Sequence, residues 1–153
     1  MIRKALIDDP PKILPLINHF ASKELMLPRS LNELYEELRD FFVYEEDGQI
    51  RGCAALHISW EGVGEIRSLA VLEEVQGQGI GKRLVEACIE EAPQLGIRRV
   101  FVLTYVPEFF RRFGFRDYRK DDLPHKVWTD CLKCPKFPNC DEVAMMYEVG
   151  EAP

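Results

Sequence analysis

Apolar positions along the chain alternate between a strand period and a helix period. Residues 2–7 read as a first strand. Asp8, Asp9 and Pro10 then open a helix, with acid near its N-terminus and proline in the first turn. Its apolar face is Ile13, Leu14, Leu16, Ile17 and Phe20, spaced as one side of a 3.6-residue period. After a loop over 23–29, Ser30 caps a second helix and pairs with Glu33 in a capping box. Leu31, Leu34, Tyr35 and Leu38 supply that helix with an apolar stripe. Segments 41–45 and 49–58 are strands joined by a tight turn at Asp47-Gly48, and Gly62 and Gly64 mark the next turn before a third strand that ends at Val71. A long amphipathic helix over 79–92 carries Ile80, Leu84, Val85, Cys88 and Ile89 on one stripe, and Pro93 and Gly96 end it. Residues 99–104, Arg-Val-Phe-Val-Leu-Thr, are apolar from 100 to 103, as in a strand buried on both faces. A short helix over 108–113, a strand over 115–118, an irregular stretch over 119–141 rich in Pro, Lys and Cys, and a last strand over 142–149 complete the pattern. The expectation is a single α/β domain over 1–153.

The stretch on which this pattern pivots is Gln76-Gly77-Gln78-Gly79-Ile80-Gly81, between an apolar strand and the long helix. Alternate glycines leave main-chain N–H groups uncovered, and the helix that follows turns its positive dipole end toward them. Such a loop is an anion site of the phosphate-binding kind. It is not a dinucleotide fingerprint, because Lys82 stands where the third glycine belongs. It is not a nucleotide P-loop either: Arg83 stands at the hydroxyl position and Gln76 at the first glycine.

Composition narrows the class. The 153 residues are 46% hydrophobic and 30% charged, as in a soluble globular domain with its own core. The formal net charge of −6 argues against nucleic acid as partner, since a phosphate polymer meets a repulsive mean field. No apolar run reaches the length of a membrane span and the first residues lack a signal-peptide core, so a cytoplasmic protein is expected. Five cysteines, two of them in core elements, fit a reducing compartment.

The spacing of Gln76, Gly79 and Gly81, with the strand Glu65-Ile-Arg-Ser-Leu-Ala-Val upstream, resembles the acetyl-CoA loop of the GNAT superfamily of N-acetyltransferases. The order β-α-α-β-β-β-α-β-α-β-β is similar to a GNAT domain over nearly the whole chain. The resemblance implies a mixed, mostly antiparallel central sheet of six to seven strands with helices on both faces, and acetyl-CoA as co-substrate. It implies that Gln76, Gly77, Gln78, Gly79, Ile80, Gly81 and Lys82 hold the CoA pyrophosphate, with Arg83 adding charge. It also implies that the main chain of Leu69, Ala70 and Val71 splays from its neighbour and binds pantetheine and the thioester carbonyl. Acetyl transfer needs a base to deprotonate the amine, a donor for the carbonyl oxygen, and a means of releasing the thiolate. Glu65 matches the strand glutamate that is the base in several such enzymes; the plain alternative is a solvated strand-end carboxylate. At the cofactor, Phe110 occupies the place where the family often has an acidic tyrosine, and it cannot donate a proton. Thiolate release then proceeds without one, or through water or Tyr105, which reads first as a core or rim aromatic.

Two further segments extend the resemblance. Val-Phe-Val-Leu-Thr-Tyr-Val-Pro-Glu-Phe-Phe-Arg-Arg-Phe-Gly-Phe over 100–115, with Asp-Leu-Pro-His-Lys-Val-Trp over 122–128, is similar to the acetyltransferase domain of N-acetylglutamate synthases. It implies a small amino acid as acceptor, glutamate first, with no amino-acid-kinase domain in the chain. Cations for its two carboxylates are Lys23, Arg29, Arg67 and Lys126, each of which also reads as an ordinary surface charge. Another amine (glutamine, a polyamine, an antibiotic, a protein N-terminus) and a non-catalytic acetyl-CoA or amino-acid sensor are the alternatives. Cys131, Cys134 and Cys140 have the spacing C-x-x-C-x5-C. A zinc site needs a fourth ligand, for which His125 is nearest, and stands behind reduced thiols or a Cys131–Cys134 redox pair. Homodimer formation is left open.

Overall fold

The computed structural model describes residues 1–123 and 142–150. The strands β1 (Ile2–Lys4), β2 (Phe41–Glu46), β3 (Gln49–Trp60), β4 (Val63–Val71), β5 (Arg99–Thr104), β6 (Arg116–Asp117) and β7 (Val143–Glu148) form one seven-stranded sheet in the order β1-β2-β3-β4-β5-β7-β6. The helices are α1 (Pro10–Ala21), α2 (Leu31–Glu36), α3 (Ile80–Glu91) and α4 (Pro107–Phe113). β4 and β5 are parallel, whereas β1–β2, β2–β3, β5–β7 and β6–β7 are antiparallel. The mixed, mostly antiparallel α/β architecture is therefore the one the sequence implies. None of the helices among the described residues is long and apolar enough to cross a membrane.

By internal packing the chain groups into two units. The first is Met1–Leu56 with Ile66–Glu90. Its core joins Ile13, Ile17 and Phe20 of α1 to Leu34 of α2 and to Phe41, Val43 and Cys53 of the sheet. Three boundaries depart from the sequence expectation. β1 stops at Lys4 because the Leu6 N–H donates to the Asp9 carboxylate at 2.6 Å and leaves the strand direction; Leu6 and Ile7 are exposed. α2 has its capping box at Ser30 and Glu33, but it ends at Glu36. Of its expected stripe only Leu34 is buried, with Leu31 and Tyr35 exposed and Leu38 in a 3₁₀ turn over Leu38–Asp40. Among the described residues, helical spacing has no second partner to bury against there. β3 runs two residues past 58, to Trp60, and the turn into β4 is at Gly62, with Gly64 already buried in the strand.

The second unit is His57–Glu65 with Glu91–Pro153. Phe101, Leu123, Ala144 and Met146 form its core with Val63, Leu103 and Tyr118 packed against them. A chain of rings adds to it: Phe110 meets Phe109 and Phe115 edge-on at 5.0 and 5.1 Å, and Phe115 meets Tyr147 at 5.2 Å. Gly114 has φ of 120°, and a Cβ there would come within 3.2 Å of the Tyr147 ring, so glycine is required on both counts. β6 is shorter than the strand over 115–118, because Phe115 turns into this cluster.

Candidate functional site

In the first unit, β4 leads through a short 3₁₀ turn, Glu73–Val75, into the loop over 76–81. Val75 and Ile80 are buried and pin its two ends, while residues 76–79 between them are exposed. Gly77 and Gly79 have φ of 83° and 78°. Side chains rarely adopt such torsions, and a Cβ at either would meet no atom within 4 Å, so backbone torsion and not crowding demands glycine. The Gly79 carbonyl accepts from the Arg83 N–H at 3.1 Å, the first bond of α3. The N–H groups of the next three residues, Ile80, Gly81 and Lys82, have no acceptor within the helix by construction. No acidic residue lies in the first turn of α3. The Gln76 side chain does not face outward as a ligand: its amide donates to the Val71 carbonyl at 2.8 Å and closes the link between strand and loop. Lys82 is 68% exposed, with Glu86 at 4.0 Å, and the Arg83 guanidinium lies over the Tyr44 ring at 5.9 Å.

β4 itself changes character along its length. Val63, Gly64 and Glu65 are registered against Arg99, Val100 and Phe101 of β5. Ser68 then has φ of 53°, a left-handed residue inside a strand. Such a residue breaks the two-residue alternation and re-aims the main chain, as at a bulge. Leu69, Ala70 and Val71 follow it, and the Leu72 N–H donates to the Arg51 carbonyl of β3 at 2.9 Å.

The charged candidates for an acceptor are placed as follows. Lys23 donates to Glu73 at 3.2 Å, and the other carboxylate oxygen of Glu73 meets His19 at 2.6 Å. Hydrogen bonds from His19 and then Lys23 hold the Glu73 carboxyl below the ordinary range. Arg29, only 12% exposed, bonds Glu33 and Glu37 at 3.2 and 3.0 Å. Arg67 is half-buried in β4. Lys126, with His125, Cys131, Cys134 and Cys140, lies outside the described residues. In the second unit, Glu65 is 8% exposed, one of few buried charged residues. Tyr105 is half-buried directly after β5. Phe110 is 2% exposed, and its ring belongs to the aromatic cluster, so core packing fills the place of the usual tyrosine.

Three residues of this region were not marked by sequence reasoning. Ser68 carries no local signal, because serine is unremarkable in a strand. Cys53 was legible only as core. Glu73, the partner of His19 and of the candidate cation Lys23, was visible as charge but not as a contact.

The fold and this loop define an acyltransferase class. The Acetyltransferase (GNAT) family model matches residues 5–115, and the chain belongs to that family. An uncharacterized N-acetyltransferase of Chlorobaculum tepidum is 41% identical over 95% of this chain and 94% of its own length. The amino-acid acetyltransferase of Mycobacterium tuberculosis is 35% identical over 99% of this chain and 82% of its own. Among solved structures, the N-acetylglutamate synthase of Neisseria gonorrhoeae complexed with coenzyme A and N-acetyl-glutamate superposes with a TM-score of 0.89 at 31% identity. That superposition covers 99% of this chain and 35% of the other, so the chain spans about a third of that protein.

Proposed function

We propose that the protein transfers the acetyl group of acetyl-CoA to the α-amine of a small amino acid, L-glutamate first, and so carries out the opening step of arginine biosynthesis in the cytoplasm. The observation that carries the reading is the left-handed pair Gly77 and Gly79 at the open N-terminus of α3, which suits a pyrophosphate. The amino-acid acetyltransferase of M. tuberculosis, matched over nearly the whole of this chain, supports the acceptor class.

In this reading the main-chain N–H groups of the loop hold the pyrophosphate, and the chain at Leu69, Ala70 and Val71 meets pantetheine and the thioester. Glu65, directly or through water, takes the proton of the ammonium. The amine nitrogen then bonds to the thioester carbon, the C–S bond breaks, and CoA leaves as thiolate, to be protonated by water or Tyr105. Lys23, Arg29, Arg67 and Lys126 are the candidate grips for the acceptor's carboxylates. Lys23 and Arg29 would exchange their present acidic partners for substrate.

The test is CoA release from acetyl-CoA with a panel of single amino acids, wild type beside Glu65→Gln. Turnover with glutamate, reduced about a hundredfold or more in the variant, is expected for loss of a general base. Turnover with a different amine alone discards the glutamate assignment. Acetyl-CoA binding without turnover on any amine replaces the enzyme with a sensor.

A further inference from the structure

Ser68 poses a physical problem. Among the described residues, the other non-glycine positions with positive φ are Glu24 and Asp47, both in turns, whereas Ser68 lies within β4. A left-handed torsion inside a strand costs free energy and persists only where its surroundings hold it. The contacts that hold it come from β3. The Cys53 thiol, fully buried, donates to the Ser68 carbonyl with sulfur and oxygen 3.2 Å apart. Next to it, Gly52 has no Cβ; one would sit 3.4 Å from the Ala70 carbonyl and 3.3 Å from Leu84, so this glycine lets the two strands close up. Burial pushes the thiol up to about 12, against a smaller opposing pull from a main-chain hydrogen bond at Ala70. The thiol thus stays protonated, and a proton is what the carbonyl requires.

The consequence lies one bond away. The Ser68 C=O and the Leu69 N–H belong to one planar trans peptide and point in opposite directions. Tying the carbonyl down onto β3 aims the Leu69 N–H away from β3. We propose that Cys53 is a positioning residue for acetyl transfer: by holding the Ser68 carbonyl it orients the Leu69 N–H as a donor to the thioester carbonyl oxygen of acetyl-CoA. This rests on the acetyl-transfer reading above. Cys53 itself touches neither substrate nor cofactor, and it acts only through the peptide it fixes. Its thiol is no nucleophile, since burial keeps it from forming a thiolate.

The test compares Cys53→Ala, which removes the donor, with Cys53→Ser, which keeps one. Four quantities are read: kcat and KM for acetyl-CoA with the best acceptor, the carbonyl ¹³C shift of bound [1-¹³C]acetyl-CoA, and the melting temperature. Removing an oxyanion donor outright costs about a hundred- to a thousandfold in kcat, and misaiming one costs less. The expected result for Cys53→Ala is a kcat roughly ten- to a hundredfold lower. KM is expected to change little and the bound carbonyl signal to move upfield toward its free position. Cys53→Ser is expected to recover most of both. If Cys53→Ala does not fold, Cys53→Thr and Cys53→Val, equal in shape but not in donor, replace the pair. Equal kcat and equal carbonyl shift in the donor and non-donor variants overturns the proposal while leaving acetyl transfer intact. A wild type that turns over no amine overturns the reading beneath it, and wild type alone reports that.

Discussion

Two helices of the same unit begin in opposite ways. α1 is closed at its N-terminus. Its first two positions are prolines, which have no N–H to leave free. The preceding residue, Asp9, is 2% exposed, and its carboxylate is fully engaged. Arg3 donates to it at 2.7 and 3.2 Å and the Leu6 N–H at 2.6 Å. α3 is open. It follows Gly79, and its first turn carries neither proline nor acid, so its main-chain N–H groups are present, with Lys82 and Arg83 beside them. The dipole at both ends is the same. α1 is left with few free donors, because its first two positions are prolines and the Lys12 N–H bonds the Asp9 main-chain carbonyl at 2.7 Å, whereas the first turn of α3 holds no proline. An anion site is made here by keeping the main-chain donors that α1 replaces with prolines.

The largest effect is expected from breaking the open end. Gly79→Val places a β-branched residue at φ of 78° with no neighbour within 4 Å of the new Cβ. The loss then comes from torsion alone, about 1–3 kcal/mol of strain, which the exposed loop escapes by abandoning its shape. Acetyl-CoA affinity, read by calorimetry, is expected to fall about ten- to a hundredfold. The melting temperature should stay close to wild type. A variant that binds acetyl-CoA normally would deny the loop its role.

Next in size is the closed end. Asp9→Asn keeps the shape but removes the charge that Arg3 and Leu6 engage, so the protein should lose about 2 kcal/mol in denaturant titration at neutral pH. Acetyl-CoA affinity should be unchanged, the reverse of the loop variant. The pH dependence has a definite sign. The hydrogen bond from Arg3 first, with that from Leu6, holds the Asp9 carboxyl below its ordinary value. Its stabilising contribution is complete above the unfolded carboxylate's pKa and is lost as pH falls through the lower folded value. The stability gap between wild type and Asp9→Asn should therefore narrow in acid. A gap independent of pH would remove the charge from the explanation.

This contrast was only half legible in the sequence. The open end announced itself through glycine spacing and the helix after it, because left-handed torsions at Gly77 and Gly79 leave few alternatives to that residue. The closed end showed its acid and its prolines, but not Arg3, which reaches Asp9 from a strand whose length was overread. Ser68 was not legible at all. Its neighbours Cys53 and Arg51, which bond the Ser68 carbonyl and the Leu72 N–H, are distant in sequence, and no local pattern encodes them. α2 fails in the other direction: its spacing was correct, yet Leu31 and Tyr35 stay exposed. Periodicity reports what a helix offers, and only the tertiary structure decides what is taken up.

The smallest expected effect sharpens the comparison by giving the open end of α3 a carboxylate of its own. Lys82→Glu puts an acid into the first turn of the open end. The side chain is 68% exposed and its neighbour Glu86 stands 4.0 Å away, so the change disturbs no packing. Near a helix N-terminus a carboxylate contributes about 0.3–1 kcal/mol of stabilisation. Repulsion from Glu86, a turn away, cancels a similar amount. Stability should therefore remain within about 0.5 kcal/mol of wild type. An external anion, by contrast, loses an attractive charge and gains a repulsive one at the same terminus. Acetyl-CoA affinity should fall about three- to tenfold at low salt, and the difference should shrink as salt screens the exposed pair. Lys82→Ala, which withdraws a cation without adding an acid, should give the smaller part of that loss. If both variants bind acetyl-CoA as wild type does at low salt, the phosphate is held by main-chain N–H groups alone and the first-turn cation is an ordinary surface charge.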